Sequence, residues 1–125
     1  MSGRSRDSRR AALRLGVRSE SLACLYLRAK GYRILARRYM VKGGEVDIIA
    51  RRASTIAFVE VKARATPALA LAAIDAGKHH RLTIAARHWL TGRDWATSCN
   101  LRGDALCISP WHWPRHHQAA IPLRI

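Results

Sequence analysis

Asp47, Glu60 and Lys62 are the residues of this chain best suited to chemistry. They fall in two apolar, β-branched runs, Glu45-Val46-Asp47-Ile48-Ile49-Ala50 and Phe58-Val59-Glu60-Val61-Lys62, where charges are out of place. Strand periodicity puts Glu45, Asp47 and Ile49 on one face of the first run. It puts Ile56, Phe58, Glu60 and Lys62 on one face of the second. The short polar stretch Arg51 to Thr55 joins them, so an antiparallel hairpin is expected, with Asp47 near Glu60 and Lys62. Two carboxylates and an ammonium on an otherwise hydrophobic sheet are costly to bury unless a cation or a reaction requires them. The spacing Asp-x(12)-Glu-x-Lys is that of a divalent-metal nuclease site. The bland alternative is an amphipathic hairpin whose Glu60 and Lys62 form a surface ion pair of little worth. Scarcity of acids argues against it: the chain has 8 Asp plus Glu against 23 Lys plus Arg, and Glu45, Asp47 and Glu60 lie close together.

At 125 residues the chain has room for one sheet-and-helix core. A net charge of +15 says little about fold and much about partners: a polyanion, most plausibly nucleic acid. The lysines are Lys30, Lys42, Lys62 and Lys78; every other basic residue is arginine, whose planar fork suits phosphate oxygens. Cys24, Cys99 and Cys107 show no C-x-x-C spacing, which implies small thiols in a reducing cytoplasm rather than disulfides or structural zinc. No signal-peptide pattern or stretch of transmembrane length is visible, so a cytoplasmic protein without a membrane partner is expected.

These residues need elements to position them. Residues 1–14 read as a basic flexible N-terminal arm (Arg4, Arg6, Arg9, Arg10, Arg14), and 15–125 as a single domain. A helix is predicted from Arg18 to Lys30, ended by Gly31, with Leu22, Leu25, Tyr26 and Ala29 as its core face. Glu20 lies on a second stripe with Cys24 and Leu27. Strands are predicted over Tyr32–Tyr39, Glu45–Arg52 and Ile56–Lys62. An Ala- and Leu-rich helix follows over Leu69–Leu90, broken near Gly77. A short strand over Asp104–Ile108 comes next. Pro110 to Pro114 is too proline-rich for a central strand, and Ala120–Ile125 is a candidate edge strand. The order is α-β-β-β-α-β: an α/β fold with a mixed central sheet flanked by helices.

Three stretches carry a resemblance: Ser19-Glu20 through Gly31-Tyr32-Arg33-Ile34-Leu35-Ala36-Arg37, then Gly44-Glu45-Val46-Asp47-Ile48-Ile49-Ala50, then Phe58-Val59-Glu60-Val61-Lys62-Ala63-Arg64. Together they resemble the YraN family of small bacterial proteins, predicted endonucleases of the PD-(D/E)xK (restriction-endonuclease-like) superfamily, similar in outline to Holliday-junction resolvases. The similarity runs over roughly residues 16 to 108. It implies an αβββαβ restriction-endonuclease-like core. By position it makes Asp47 the motif aspartate, Glu60 and Lys62 the (D/E)xK pair, and Glu20 an acidic residue that the first helix brings to the site. Tyr39, Gly103 and Asp75 depart from the pattern, where an asparagine, an aromatic and an apolar residue are usual.

Phosphodiester cleavage requires an activated water and neutralisation of phosphate charge. Asp47 and Glu60, with the Val61 carbonyl, offer hard oxygen ligands for Mg²⁺ (or Mn²⁺). Lys62 can orient the water, stabilise developing charge or accept a proton. Glu20 could complete the shell through a water, and Glu45 ranks second to it. Arg37, Arg38, Arg64, Lys78 and Arg81 are candidate phosphate contacts, joined by Arg87. His79-His80 and His116-His117 read as surface or phosphate-contact residues rather than ligands. Trp111 and Trp113 read as packing or interface residues, with stacking on unpaired bases as the alternative. The function expected is Mg-dependent hydrolysis of DNA, branched or structured DNA in particular, with DNA favoured over RNA and a homodimer as one route to cutting two strands. Its rivals are a non-catalytic nucleic-acid-binding module on a nuclease fold and a structural protein of a nucleoprotein complex.

Overall fold

The computed structural model describes residues 18–125, so the N-terminal arm lies outside the described residues. Helix α1 covers 18–29 and Gly31 follows it with φ +92°, a left-handed conformation that glycine adopts without strain. Strands β1 (Arg33–Val41), β2 (Gly44–Arg52) and β3 (Thr55–Ala63) then run as two successive antiparallel hairpins. Helices α2 (Pro67–Ala72), α3 (Ala76–Leu90) and α4 (Asp94–Thr97) carry the chain across to β4 (Asn100–Ile108), which lies parallel to β3. Strand β5 (Arg115–Ile121) returns antiparallel to β4. The sheet is five-stranded and mixed, in the order β1-β2-β3-β4-β5, with the expected α-β-β-β-α-β order inside it. No helix among the described residues is long and apolar enough to cross a membrane.

Each face of the sheet has its own core. Ala23, Cys24 and Leu27 of α1 pack on Ile48, Ala50, Ala57, Val59 and Leu106. Leu82, Ala85, Ala86 and Trp89 of α3 pack on Val46, Ile49, Ile56 and Phe58. The predicted core face of α1 is therefore wrong. Leu22 and Leu25 are 43% and 62% exposed, and the second stripe, with Glu20, is the buried one. Hydrophobicity favours the leucines, but the small stripe lets α1 sit close to a sheet surface that is itself small at Ala50 and Ala57.

Other boundaries moved for local reasons. The second long helix breaks near Gly77 as expected, at Ala73 to Asp75, and the Asp75 carboxylate accepts from the Lys78 N–H at 3.0 Å and caps α3. Gly77 sits inside the first turn, where a Cβ would lie 3.3 Å from that carboxylate. Strand β4 starts at Asn100, since it pairs with β3 from Thr55↔Asn100 to Ala63↔Ile108. Strand β5 lies upstream of the predicted Ala120–Ile125, on the polar run Arg115-His116-His117-Gln118. The short helix α4 had no clear signature. Two departures from the family pattern have structural partners: Gly103, where a Cβ would stand 2.3 Å from the Ile121 carbonyl oxygen, and Tyr39, whose hydroxyl meets His88 Nδ1 at 2.5 Å.

Candidate active site

The β2–β3 ladder runs from Arg52↔Thr55 to Ile48↔Val59 and then opens. In its place the Val61 N–H donates to Asp47 Oδ2 at 2.8 Å. A strand residue directs its N–H and C=O to the same edge, so the Val61 carbonyl also faces this opening. Side-chain alternation slips here: Val46 joins the core under α3 while Ile48 joins the core under α1. The neighbouring strand is irregular at the same level. Arg38, between the pairs Arg37↔Ile48 and Tyr39↔Val46, has φ +50°, a left-handed conformation that costs a non-glycine residue about 1 kcal/mol or more.

Glu60 projects into this opening with its side chain only 3% exposed, and Lys62 Nζ stands 3.3 Å from its Oε1. Burial, then the nearby Asp47 charge, pushes the Glu60 carboxyl up to about 7, against the pull of Lys62 and Lys78. Asp47 is raised as well, chiefly by burial, with the Val61 N–H and Lys62 working the other way and Glu45 adding repulsion. Two partly desolvated carboxylates thus share one opening with a single adjacent lysine.

Around the pair lies a basic rim. Glu45 is held by Arg81 at 3.5 Å and Lys78 at 3.9 Å, both from the N-terminal half of α3. Gly44 permits that approach: a Cβ there would stand 2.8 Å from the Ala85 nitrogen and the Arg81 carbonyl oxygen. Glu20 is buried on α1, where Arg37 Nε donates to Oε1 at 3.2 Å and Arg38 Nε to Oε2 at 2.7 Å. Arg38 also senses the Asp47 charge. Arg64 is exposed just beyond β3. Asp47, Glu60 and Lys62 therefore come together, while Glu20 is engaged by two arginines. Among the described residues no three Asp, Glu, His or Cys side chains form a metal-sized cluster.

A second polar constellation escaped the sequence reading. Asp104 is wholly buried and takes a bidentate Arg102 guanidinium at 2.8 and 2.8 Å, His116 Nε2 at 2.7 Å and the Ala119 N–H at 2.9 Å. Burial opposes its charge, yet the bonds from His116, Arg102 and Ala119 hold the carboxyl below its ordinary range. Arg102 Nη2 also donates to the Tyr32 hydroxyl at 2.6 Å, and Lys30 Nζ lies 2.7 Å from His116 Nδ1. The surface role expected for His116 is thus incorrect, since its side chain is 2% exposed and ties β5 to β4. Arg102-x-Asp104 in a β-branched-poor run gave a hint; His116 gave none. Asp104 is in register with Val59, on the α1 side of the sheet, so this network clamps the fold rather than joining Asp47 and Glu60.

The chain is similar to several proteins of known sequence. A protein of Methylocella silvestris named UPF0102 protein is 52% identical over 120 residues, covering 96% of this chain and 97% of the relative. A Methylorubrum extorquens protein of the same name is 54% identical over 108 residues, 86% of this chain and 84% of its own length. One from Bradyrhizobium diazoefficiens, UPF0102 protein bll0669, is 49% identical over 110 residues, 88% of this chain and 83% of its own. Residues 19–108 match the family described as Uncharacterised protein family UPF0102. The chain belongs to that family.

Proposed function

We propose that this member of the YraN-like UPF0102 family is a Mg²⁺- or Mn²⁺-dependent endonuclease of the PD-(D/E)xK superfamily that hydrolyses phosphodiester bonds of DNA. The observation that carries the reading is the convergence of Asp47, Glu60 and Lys62 where the β2–β3 ladder opens. The donor set fits a hard divalent cation. Mg²⁺ keeps several waters and is commonly held by one or two carboxylates plus substrate phosphate, so a third acidic side chain is not required. Charge repulsion at the raised Asp47 and Glu60 carboxyls is what such an ion would relieve.

Asp47, Glu60 and the Val61 carbonyl are the groups that would hold the ion, which would supply charge neutralisation at the scissile phosphate. Lys62, 16% exposed and beside Glu60, is placed to orient the attacking water and stabilise charge on the phosphoryl oxygens. Arg38, Lys78 and Arg81 on the rim keep partly exposed side chains, which would meet flanking phosphates. Arg37 and Arg64 extend that surface. Positioning and electrostatics are the main contributions a protein makes to phosphoryl chemistry. Branched or structured DNA is the proposed substrate, on the family resemblance to junction resolvases.

Incubation with branched, single-stranded and duplex DNA and with RNA, in Mg²⁺, Mn²⁺ or chelator, tests the reading. Cleavage is expected only with metal, and Asp47→Ala is expected to abolish it while binding persists. Undiminished cleavage by Asp47→Ala would remove the site assignment. The second reading, a non-catalytic DNA-binding module, is favoured by the internal neutralisation of Glu60 by Lys62 and of Glu20 by two arginines. It predicts metal-independent binding without cleavage.

A further inference from the structure

The loop between β4 and β5, Ser109 to Pro114, holds two tryptophans in solvent. Trp111 is 101% exposed and Trp113 88%, so the packing role expected for them is incorrect. Tryptophan side chains left in water forgo some of the largest burial energies available to any residue. Their exposure is built in by the backbone. Trp111 has φ +64°, a left-handed conformation that disfavours a non-glycine residue, and Pro110 and Pro114 stiffen both ends of the loop. His112 adds a turn, its N–H donating to the Ser109 carbonyl at 3.3 Å.

The loop also has a definite place relative to the acidic pair. Lys62 of β3 is in register with Cys107 of β4, and Cys107 with Arg115 of β5. These three residues form one row across the sheet, about 10 Å from end to end. Trp113 is two residues from Arg115, so its backbone lies within about 17 Å of that of Lys62, a few nucleotides of extended strand. Arg64 and Arg115 are exposed at this same end of a chain of net charge +15.

We propose that Trp111 and Trp113 form a stacking platform for unpaired bases of nucleic acid, holding a single-stranded segment beside the Asp47–Glu60 opening. The proposal deepens the nuclease reading by making unpaired bases part of the recognised substrate. It requires only the nucleic-acid-binding half of that reading. An aromatic face stacks on any base, so the platform confers a preference for single strands without sequence choice. Exposed arginines beside it neutralise the accompanying phosphates. Stiffening by the prolines keeps the rings presented before binding and lowers the ordering cost.

Binding of the full chain, in chelator so that no cleavage occurs, is measured by anisotropy on three labelled probes. These are a short oligothymidylate, the same backbone with abasic sugars, and a blunt duplex. The double variant Trp111→Ala/Trp113→Ala should lose about tenfold or more in affinity for oligothymidylate, and stay within about twofold of the parent on the other two. Trp111→Phe/Trp113→Phe should recover most of the loss. Equal losses on all three probes, or none on oligothymidylate, would overturn the proposal. So would sedimentation showing a dimer of the parent that the alanine variant breaks while oligothymidylate affinity is unchanged. A parent that binds in this tryptophan-dependent way but cuts nothing in Mg²⁺ would leave the platform standing and remove the nuclease reading.

Discussion

Glu60 is the residue on which the proposed chemistry and the stability of this protein meet. Its carboxyl is pushed from an ordinary 4.5 up to about 7, first by burial and then by Asp47. Below about pH 4.5 it is protonated in folded and unfolded chains alike. Between that value and about 7 the unfolded chain releases the proton and the folded chain keeps it, so metal-free stability falls as pH rises. The expected loss is on the order of 3 kcal/mol across the window, with Asp47 acting in the same direction. Thermal melts in chelator at pH 5 and pH 7.5 check this, and Glu60→Gln should flatten the difference. Asp104 acts oppositely and lower down: its depressed carboxyl contributes stability that is lost as pH falls below the ordinary aspartate range. Asp104→Ala should cost about 3–5 kcal/mol, because the wholly buried carboxylate that holds the partly buried Arg102 and the buried His116 ring is lost. A denaturant titration measures that loss directly.

At the scale of elements, the hairpin that carries the site was legible and the packing around it was less so. Alternating β-branched runs bounded by Gly43-Gly44 and by Arg51 to Thr55 announced β2 and β3, and charges inside apolar runs announced Asp47, Glu60 and Lys62. The slip at Asp47 was invisible, because an unbroken run of strand-forming residues gives no sign of where alternation changes, and the left-handed Arg38 opposite it lies in another strand. The buried face of α1 was misread because two apolar stripes compete on one helix and only the shape of the sheet decides between them. Strand β5 carries a polar run whose buried member, His116, finds its partners in Asp104 of β4 and in Lys30 just past α1, so no local pattern marks it. Close approach of α3 to β2 rests on Gly44. Gly44→Ala should destabilise the fold by about 1–3 kcal/mol and, by displacing Lys78 and Arg81, weaken DNA binding. Melting temperature and DNA affinity measured together test whether the two losses travel as a pair.

The whole molecule is a basic body with one acidic opening. Seven acidic side chains of the described part are Glu20, Glu45, Asp47, Glu60, Asp75, Asp94 and Asp104, and Glu20, Glu45 and Asp104 are each claimed by arginine. Asp75 is spent on a helix cap. Asp94 stands in the first turn of α4, which leaves Asp47 and Glu60 sharing one opening with Lys62 beside them. The surplus positive charge predicts that DNA affinity falls about tenfold or more between 50 and 200 mM salt (roughly the range over which phosphate contacts are screened). Deleting residues 1–14, with Arg4, Arg6, Arg9, Arg10 and Arg14, should flatten that slope. A salt-insensitive affinity would contradict a phosphate-based interface.

The central claim is that Asp47 and Glu60 form a cation site, and it can be measured without any substrate. An ion that binds only the folded chain stabilises it by mass action, about 1.4 kcal/mol at ten times its dissociation constant. In a thermal melt at pH 7.5, millimolar Mg²⁺ or Mn²⁺ should raise the melting temperature of the parent by about 3 °C or more. Glu60→Gln should start no less stable than the metal-free parent, because the like-charge repulsion is gone, and should lose most of the metal-induced rise. An unchanged melting temperature of the parent, in both metals and with or without DNA, would contradict the account and leave the two carboxylates as partners of Lys62 alone.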